Sequence, residues 1–278
     1  MSAALEIERI SVGYPGRPVI SDISLAPIRG GALTALIGPN AAGKTTLLRG
    51  LAGLVRASGS VRYAGRELTR LSPAEHARYV AYMPQTLPQR VALSVYEATL
   101  SALRASIDDA VDRQAASARA MDALDRLGIA HLATQPLDRL SGGQRQLASL
   151  AQCIVRQPPV LLLDEPTSAL DLAHQFRVMR TVKELAQERG MVAIVVVHDI
   201  ALAARWCDRI VVLSQGAVAA DGQADAAINP QVLGSVYGVE TRVESCSRGT
   251  LQIIVDGTLA DADAAPNIGR RTTKGLSQ

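Results

Sequence analysis

Residues Gly38 to Thr46 read GPNAAGKTT, the Gly-x-x-x-x-Gly-Lys-Thr spacing of a phosphate loop. Ahead of it, residues 32–37 (ALTALI) make a short, mostly apolar strand candidate. Behind it, Leu47, Leu48, Leu51 and Leu54 recur at helical spacing. Strand, loop and helix in that order predict a nucleoside triphosphate site built from Gly38, Pro39, Asn40, Ala41, Ala42, Gly43, Lys44, Thr45 and Thr46. The glycines let successive backbone N–H groups turn inward around phosphates, the helix N-terminus adds its positive end, and Lys44 adds a point charge. The Thr45 hydroxyl is expected on Mg²⁺.

Further along, residues 160–163 (VLLL) and 192–197 (VAIVVV) are continuous apolar runs, the pattern of parallel strands buried on both faces. Asp164 with Glu165, and His198 with Asp199, stand at their C-terminal ends, the edge where open α/β sheets bind ligands. Asp164 fits the Mg²⁺-orienting carboxylate of a phosphate-loop NTPase, and Glu165 the group that polarises attacking water. Adjacent strand residues point to opposite faces, but Pro166 ends the strand and lets the chain turn Glu165 toward the nucleotide.

Residues 5–37 alternate apolar and polar groups around turns at 13–18 and 29–31, which suggests short strands, and residues 60–65 add a strand and turn. From Val95 to Leu127 the pattern turns helical and ends near Gly128. Residues 199–208 and 210–213 repeat helix and strand. Beyond residue 225 a short helix and a hairpin around Arg248 and Gly249 are expected, then a frayed tail from Pro266 to Gln278. The predicted fold class is α/β, with a mostly parallel sheet covered on both sides. The expected division is residues 1–225, with a helical subdomain at about 90–140, and a small appendage at 226–278.

The 278 residues are 48% hydrophobic and 20% charged, ordinary globular chemistry with a sizeable core. Aromatics are only 3%, the net charge is +3, and no polybasic block occurs, which argues against a base-stacking nucleic-acid binder. Cys153, Cys207 and Cys246 make no CxxC pair and read as reduced thiols of a cytosolic chain. No run approaches the 18 or so apolar residues of a membrane span, so a membrane role needs a partner.

The most specific string is LSGGQRQ, Leu140 to Gln146. Ser141, Gly142 and Gly143 would open a helix and offer a hydroxyl and bare amides to a phosphate. Here the sequence resembles the ATP-binding subunits of ABC transporters over roughly residues 5–225. The resemblance implies a phosphate-loop NTPase of the ABC ATPase type with an N-terminal antiparallel β subdomain and a helical insertion. It implies that Ser141, Gly142, Gly143 and Gln144 serve the nucleotide of a second copy in a head-to-tail dimer holding two ATP, with Asp171 of SALD touching that copy. Tyr14 is similar to the family's adenine-stacking aromatic, although a turn tyrosine equally fits. Gln85 of YMPQ is similar to the glutamine that senses Mg²⁺ and the permease, and His198 to the switch histidine at the γ-phosphate. Ala41 departs from the family's usual glycine; a positive φ there costs about 1 kcal/mol or more.

PTSALDLAHQ, VHDIALAARWCDRIVVLSQGAVAADG and VYGVETRV resemble subunits that power uptake of ferric siderophores, haem and cobalamin. That likeness implies an ATPase on the cytoplasmic face of the membrane, attached to a separate permease and served by a substrate-binding protein, with the region from Gln85 to about Arg104 passing motion to the permease. The alternative is an ABC-type ATPase that meets no permease, for example in iron–sulfur assembly. A GTP switch is disfavoured because no NKxD-type tetrapeptide occurs.

Overall fold

The computed structural model describes residues 3–85, 92–105 and 112–259. The segment just after Gln85 and the tail from Pro266 lie outside them. In chain order, β1 (Ala4–Tyr14) and β2 (Arg17–Arg29) form an antiparallel hairpin, and β3 (Leu33–Ile37) leads through the phosphate loop into α1 (Lys44–Leu51). β4 (Ala57–Tyr63) and β5 (Arg66–Glu67) extend the hairpin to a four-stranded sheet of order β2-β1-β4-β5. α2 (Pro73–Tyr79) precedes β6 (Val80–Met83), followed by α3 (Val95–Arg104), α4 (Arg113–Arg126) and α5 (Gly142–Ile154). The second half alternates β7 (Val160–Asp164), α6 (Leu172–Arg189), β8 (Val192–Val196), α7 (Ile200–Trp206), β9 (Arg209–Ser214) and β10 (Ala217–Gly222). Two short helices, α8 (Ala224–Ala227) and α9 (Pro230–Tyr237), and a hairpin of β11 (Val239–Ser245) and β12 (Leu251–Thr258) follow.

The central sheet runs β10-β9-β3-β8-β7-β6 and is parallel apart from the β9–β10 pair. Its strands read as unbroken apolar runs because alternate residues enter two different cores. Leu33, Ala35, Leu161, Leu163, Ala193 and Val195 pack with the helical half of the molecule. Leu36, Val160, Leu162, Val192, Ile194 and Val196 pack with α1 and the antiparallel sheet. With both faces covered, these strands are apolar at nearly every position, Thr34 of β3 and the strand-end Asp164 excepted. Every parallel strand ends at the same edge, so the segments after β3, β6, β7 and β8 converge there.

The structure corrects the sequence reading at three places. The first two strands are long, 11 and 13 residues, rather than short, because bulges at their register shifts break the alternation that marks a strand. Leu54 is outside α1 and 63% exposed: Gly53, at φ 69°, ends the helical stripe. The C-terminal segment holds two helices rather than one, since Asn229 caps α9 and Pro230 occupies its first turn. Cys153 and Cys207 are buried, and burial pushes both thiols up to about 12, which leaves them unreactive. No helix of the described residues is long and apolar enough to cross a membrane.

Candidate active site

The phosphate loop wraps the start of α1. Gly38, at φ 148°, has no room for a side chain, because a Cβ would lie 2.1 Å from the carbonyl oxygen of Leu213. Ala41 does adopt the left-handed φ, 63°. That strain belongs to the folded loop itself and is offset by the rest of the fold. Lys44 is buried, and its ammonium donates to the carbonyls of Gly38 at 2.7 Å and Pro39 at 2.8 Å, so it sits across the mouth of the loop. Burial lowers its pKa, while the charges of Glu165 and Asp164 hold it up.

Asp164 ends β7 fully buried, accepting from the Thr45 hydroxyl at 3.0 Å and the Tyr82 hydroxyl at 3.0 Å. A hydroxyl and a carboxylate thus meet in the pairing that an Mg²⁺ ion with nucleotide phosphates requires, and these two residues fit the role of holding it. Burial pushes the Asp164 pKa up, with the negative charge of Glu165 adding to it and the two hydrogen bonds opposing. A raised carboxyl pKa means the folded chain holds its proton longer than the unfolded one, so this group destabilises the fold progressively as pH rises from the ordinary carboxyl value to the raised one, and fully above it. Asp164→Asn should therefore melt higher than the parent at pH 8, with the gap shrinking at pH 4, near the ordinary carboxyl value, while ATP turnover is lost. Calorimetry at both pH values checks this; a pH-independent gap would refute the assignment.

Glu165 lies just beyond the strand at φ 54°. This left-handed step breaks the alternation of β7 and turns its carboxylate to the same side as Asp164, as the following proline allows. Gln85 Nε2 donates to Glu165 Oε2 at 2.7 Å, and His198 Nε2 is 2.5 Å from Oε1. A carboxylate has about four lone-pair sites, so two remain for water. Tyr14, residues 40–46, Gln85, Glu165 and His198 line one open cavity of about 760 Å³. Tyr14 is 42% exposed at its mouth and accepts a 3.4 Å hydrogen bond from Arg49.

The other group stands apart. Ser141, Gly142, Gly143, Gln144 and Asp171 line a second cavity of about 660 Å³ with Leu170 and His174. Ser141 caps α5: its hydroxyl accepts from the Gln144 N–H at 3.2 Å and its own N–H donates to the Gln144 side chain at 2.9 Å. The hydroxyl proton and the N–H groups of Gly142 and Gly143 are left for an acceptor outside the helix. Asp171 caps α6 through the His174 N–H at 2.9 Å.

Four residues escaped the sequence reading. Tyr82 binds Asp164 and also meets Arg49, so Tyr14, Arg49, Tyr82 and Asp164 form one polar chain. Gln146 is buried against the Glu165 turn. Tyr237 of α9 has its hydroxyl pushed up to about 12 by burial, facing the backbone N–H of Gly38. Tyr82 and Gln146 stand inside quoted motifs, but nothing in the spacing announces their partners.

A family profile described as ABC transporter matches residues 20–168. The chain is 37% identical over 269 residues to a hemin import ATP-binding protein, HmuV, of Rhodopseudomonas palustris strain HaA2, covering 94% of this chain and 100% of that one. Among solved structures, a metal-chelate type ABC transporter in an inward-facing conformation superposes with a TM-score of 0.75 at 25% identity, covering 91% of this chain and 97% of the other. The dimeric MJ0796 bacterial ABC transporter cassette superposes with a TM-score of 0.73, also at 25% identity, covering 79% and 98%. With a phosphate loop, strand-end carboxylates and a glycine-opened helix in one fold, the chain belongs to the ABC transporter family and is one of its ATPases.

Proposed function

We propose that this chain is the ATP-hydrolysing subunit of an importer for an iron complex, with haem as the cargo. The observation that carries the reading is likeness to the hemin import protein across that protein's whole length, C-terminal hairpin region included. Ferric siderophores and cobalamin are the other cargoes that the sequence motifs admit. The chain works as a head-to-tail pair at the cytoplasmic face of the membrane, on a separate permease supplied by a substrate-binding protein. The separation of its two half-sites supports this, because the second cavity has acceptor-seeking groups and no phosphate loop of its own.

In this reading ATP sits on residues 38–46, with its base against Tyr14. Thr45, Asp164 and Gln85 would hold Mg²⁺, and the bound ion would neutralise phosphate charge. Closure brings Ser141, Gly142, Gly143 and Gln144 of the partner onto the γ-phosphate, and Asp171 onto the facing copy. Glu165 takes a proton from water as its oxygen bonds to the γ-phosphorus and the bond to the β-phosphate oxygen breaks, releasing ADP and phosphate. His198 holds Glu165 and reads the γ-phosphate. The permease receives the motion through the region from Gln85 to about Arg104.

The test is to purify the chain from its native host in mild detergent, identify what accompanies it, and measure growth on haem as sole iron source after its deletion. A polytopic permease in the complex, with growth lost on haem and kept on ferric siderophores, is the expected result. Soluble partners alone would overturn the importer reading in favour of a non-transport ATPase. A growth defect confined to siderophores would overturn the cargo.

A further inference from the structure

Gln146 is the last residue of the LSGGQRQ string that opens α5, and only 5% of it is exposed. Its side chain is fully engaged with the turn that leaves β7. Nε2 donates to the backbone carbonyl of Glu165 at 2.6 Å and to Ser168 Oγ at 3.3 Å, and Oε1 accepts from the N–H of Ala169 at 3.1 Å. All three partners fall between Glu165 and Asp171. A separate contact joins the same two elements: a Cβ on Gly143 would lie 2.8 Å from the Ala169 carbonyl oxygen and 3.1 Å from Leu170. The helix that presents Ser141 is thus fastened, one and a half turns in, to the turn that carries Glu165.

We propose that Gln146 is a positioning residue coupling the two nucleotide sites of the dimer: phosphate binding at Ser141 moves α5, and Gln146 sets the chain's own Glu165 for reaction. The inference rests on the dimer and the base role proposed above. Glu165 reaches its neighbours only in a left-handed conformation, and the orientation of its carbonyl is what that conformation fixes. Gln146 and Ser168, whose hydroxyl donates to the same carbonyl at 3.2 Å, are the side chains that hold it. A buried amide with all these bonds made transmits small displacements, because sliding breaks several bonds together.

The test uses the purified full chain and two variants of similar size. Gln146→Glu keeps the acceptor for Ala169 and loses the donors; Gln146→Met loses both and stands in if the first does not fold. Steady-state ATPase kinetics, binding of a fluorescent ATP analogue and thermal melting are measured for each. The expected result is analogue binding within about threefold of the parent, kcat down at least tenfold, and a Hill coefficient for ATP falling to 1. A folded variant with kcat within twofold and an unchanged Hill coefficient overturns the proposal, as does a loss confined to nucleotide binding. Glu165→Gln and Ser141→Arg serve as controls. If they also retain turnover, the dimer-and-base reading has failed; if they are inactive while the Gln146 variants are not, only the coupling has failed.

Discussion

Glu165→Gln should lower kcat by about 10²- to 10⁴-fold while ATP still binds, the range expected when a positioned general base is removed. The geometry sets up this outcome. The Glu165 side chain is 10% exposed, one oxygen meets Gln85 and the other His198, and the left-handed φ turns the group toward the phosphate loop. Glutamine keeps the volume and can still accept from one of those donors, so the fold should survive. What it cannot do is take a proton from water at neutral pH. Binding through Lys44 and the loop amides does not involve it, so KM and analogue affinity should stay within a few-fold. ATP hydrolysis assays with size-exclusion chromatography in ATP check this: turnover falls and an ATP-bound dimer accumulates. A variant retaining more than a tenth of the parent rate would show that another group does the chemistry.

Ser141→Arg should lower kcat at least 10²-fold, the scale for losing a preorganised charge-stabilising contact, with nucleotide binding to the isolated chain unchanged. Ser141 is exposed and belongs to a cavity that shares no lining residue with the phosphate-loop cavity, so an arginine there touches nothing that binds ATP in the same copy. Its effect must act on the second copy, by filling the space where that copy's γ-phosphate would lie. The same change also removes the α5 cap, worth about 1 kcal/mol, a loss that the buried face of the helix can absorb. Analogue titration at low protein concentration and ATPase assays at high concentration separate the two effects. Normal turnover would contradict the head-to-tail arrangement, and weakened binding in the single copy would show that the two cavities are not independent.

Much of this site could be read before any fold was known. The phosphate loop, the LSGGQRQ helix start and the strand-end carboxylates are local devices: each needs particular backbone freedom, caps or charges within a few consecutive residues, and the spacing displays them. Even the turn of Glu165 was legible, because Pro166 ends the strand. Longer-range features were harder. The bulged strands lost their period, and Gly53 took Leu54 out of a stripe that the spacing alone continued.

The sequence by itself determined the ATP chemistry, since loop, carboxylates and helix-opening glycines carry it in contiguous segments. Only the tertiary structure decided who holds whom. Tyr82 reaches Asp164 and Gln85 reaches Glu165 because β6 pairs with β7; His198 reaches Glu165 because β8 pairs on the other side. Gln146 meets Glu165, and Tyr237 faces Gly38, through helices packed against that sheet edge. Strand order and helix packing come from how two cores fill across one sheet, a global balance of burial that no local pattern of residues records.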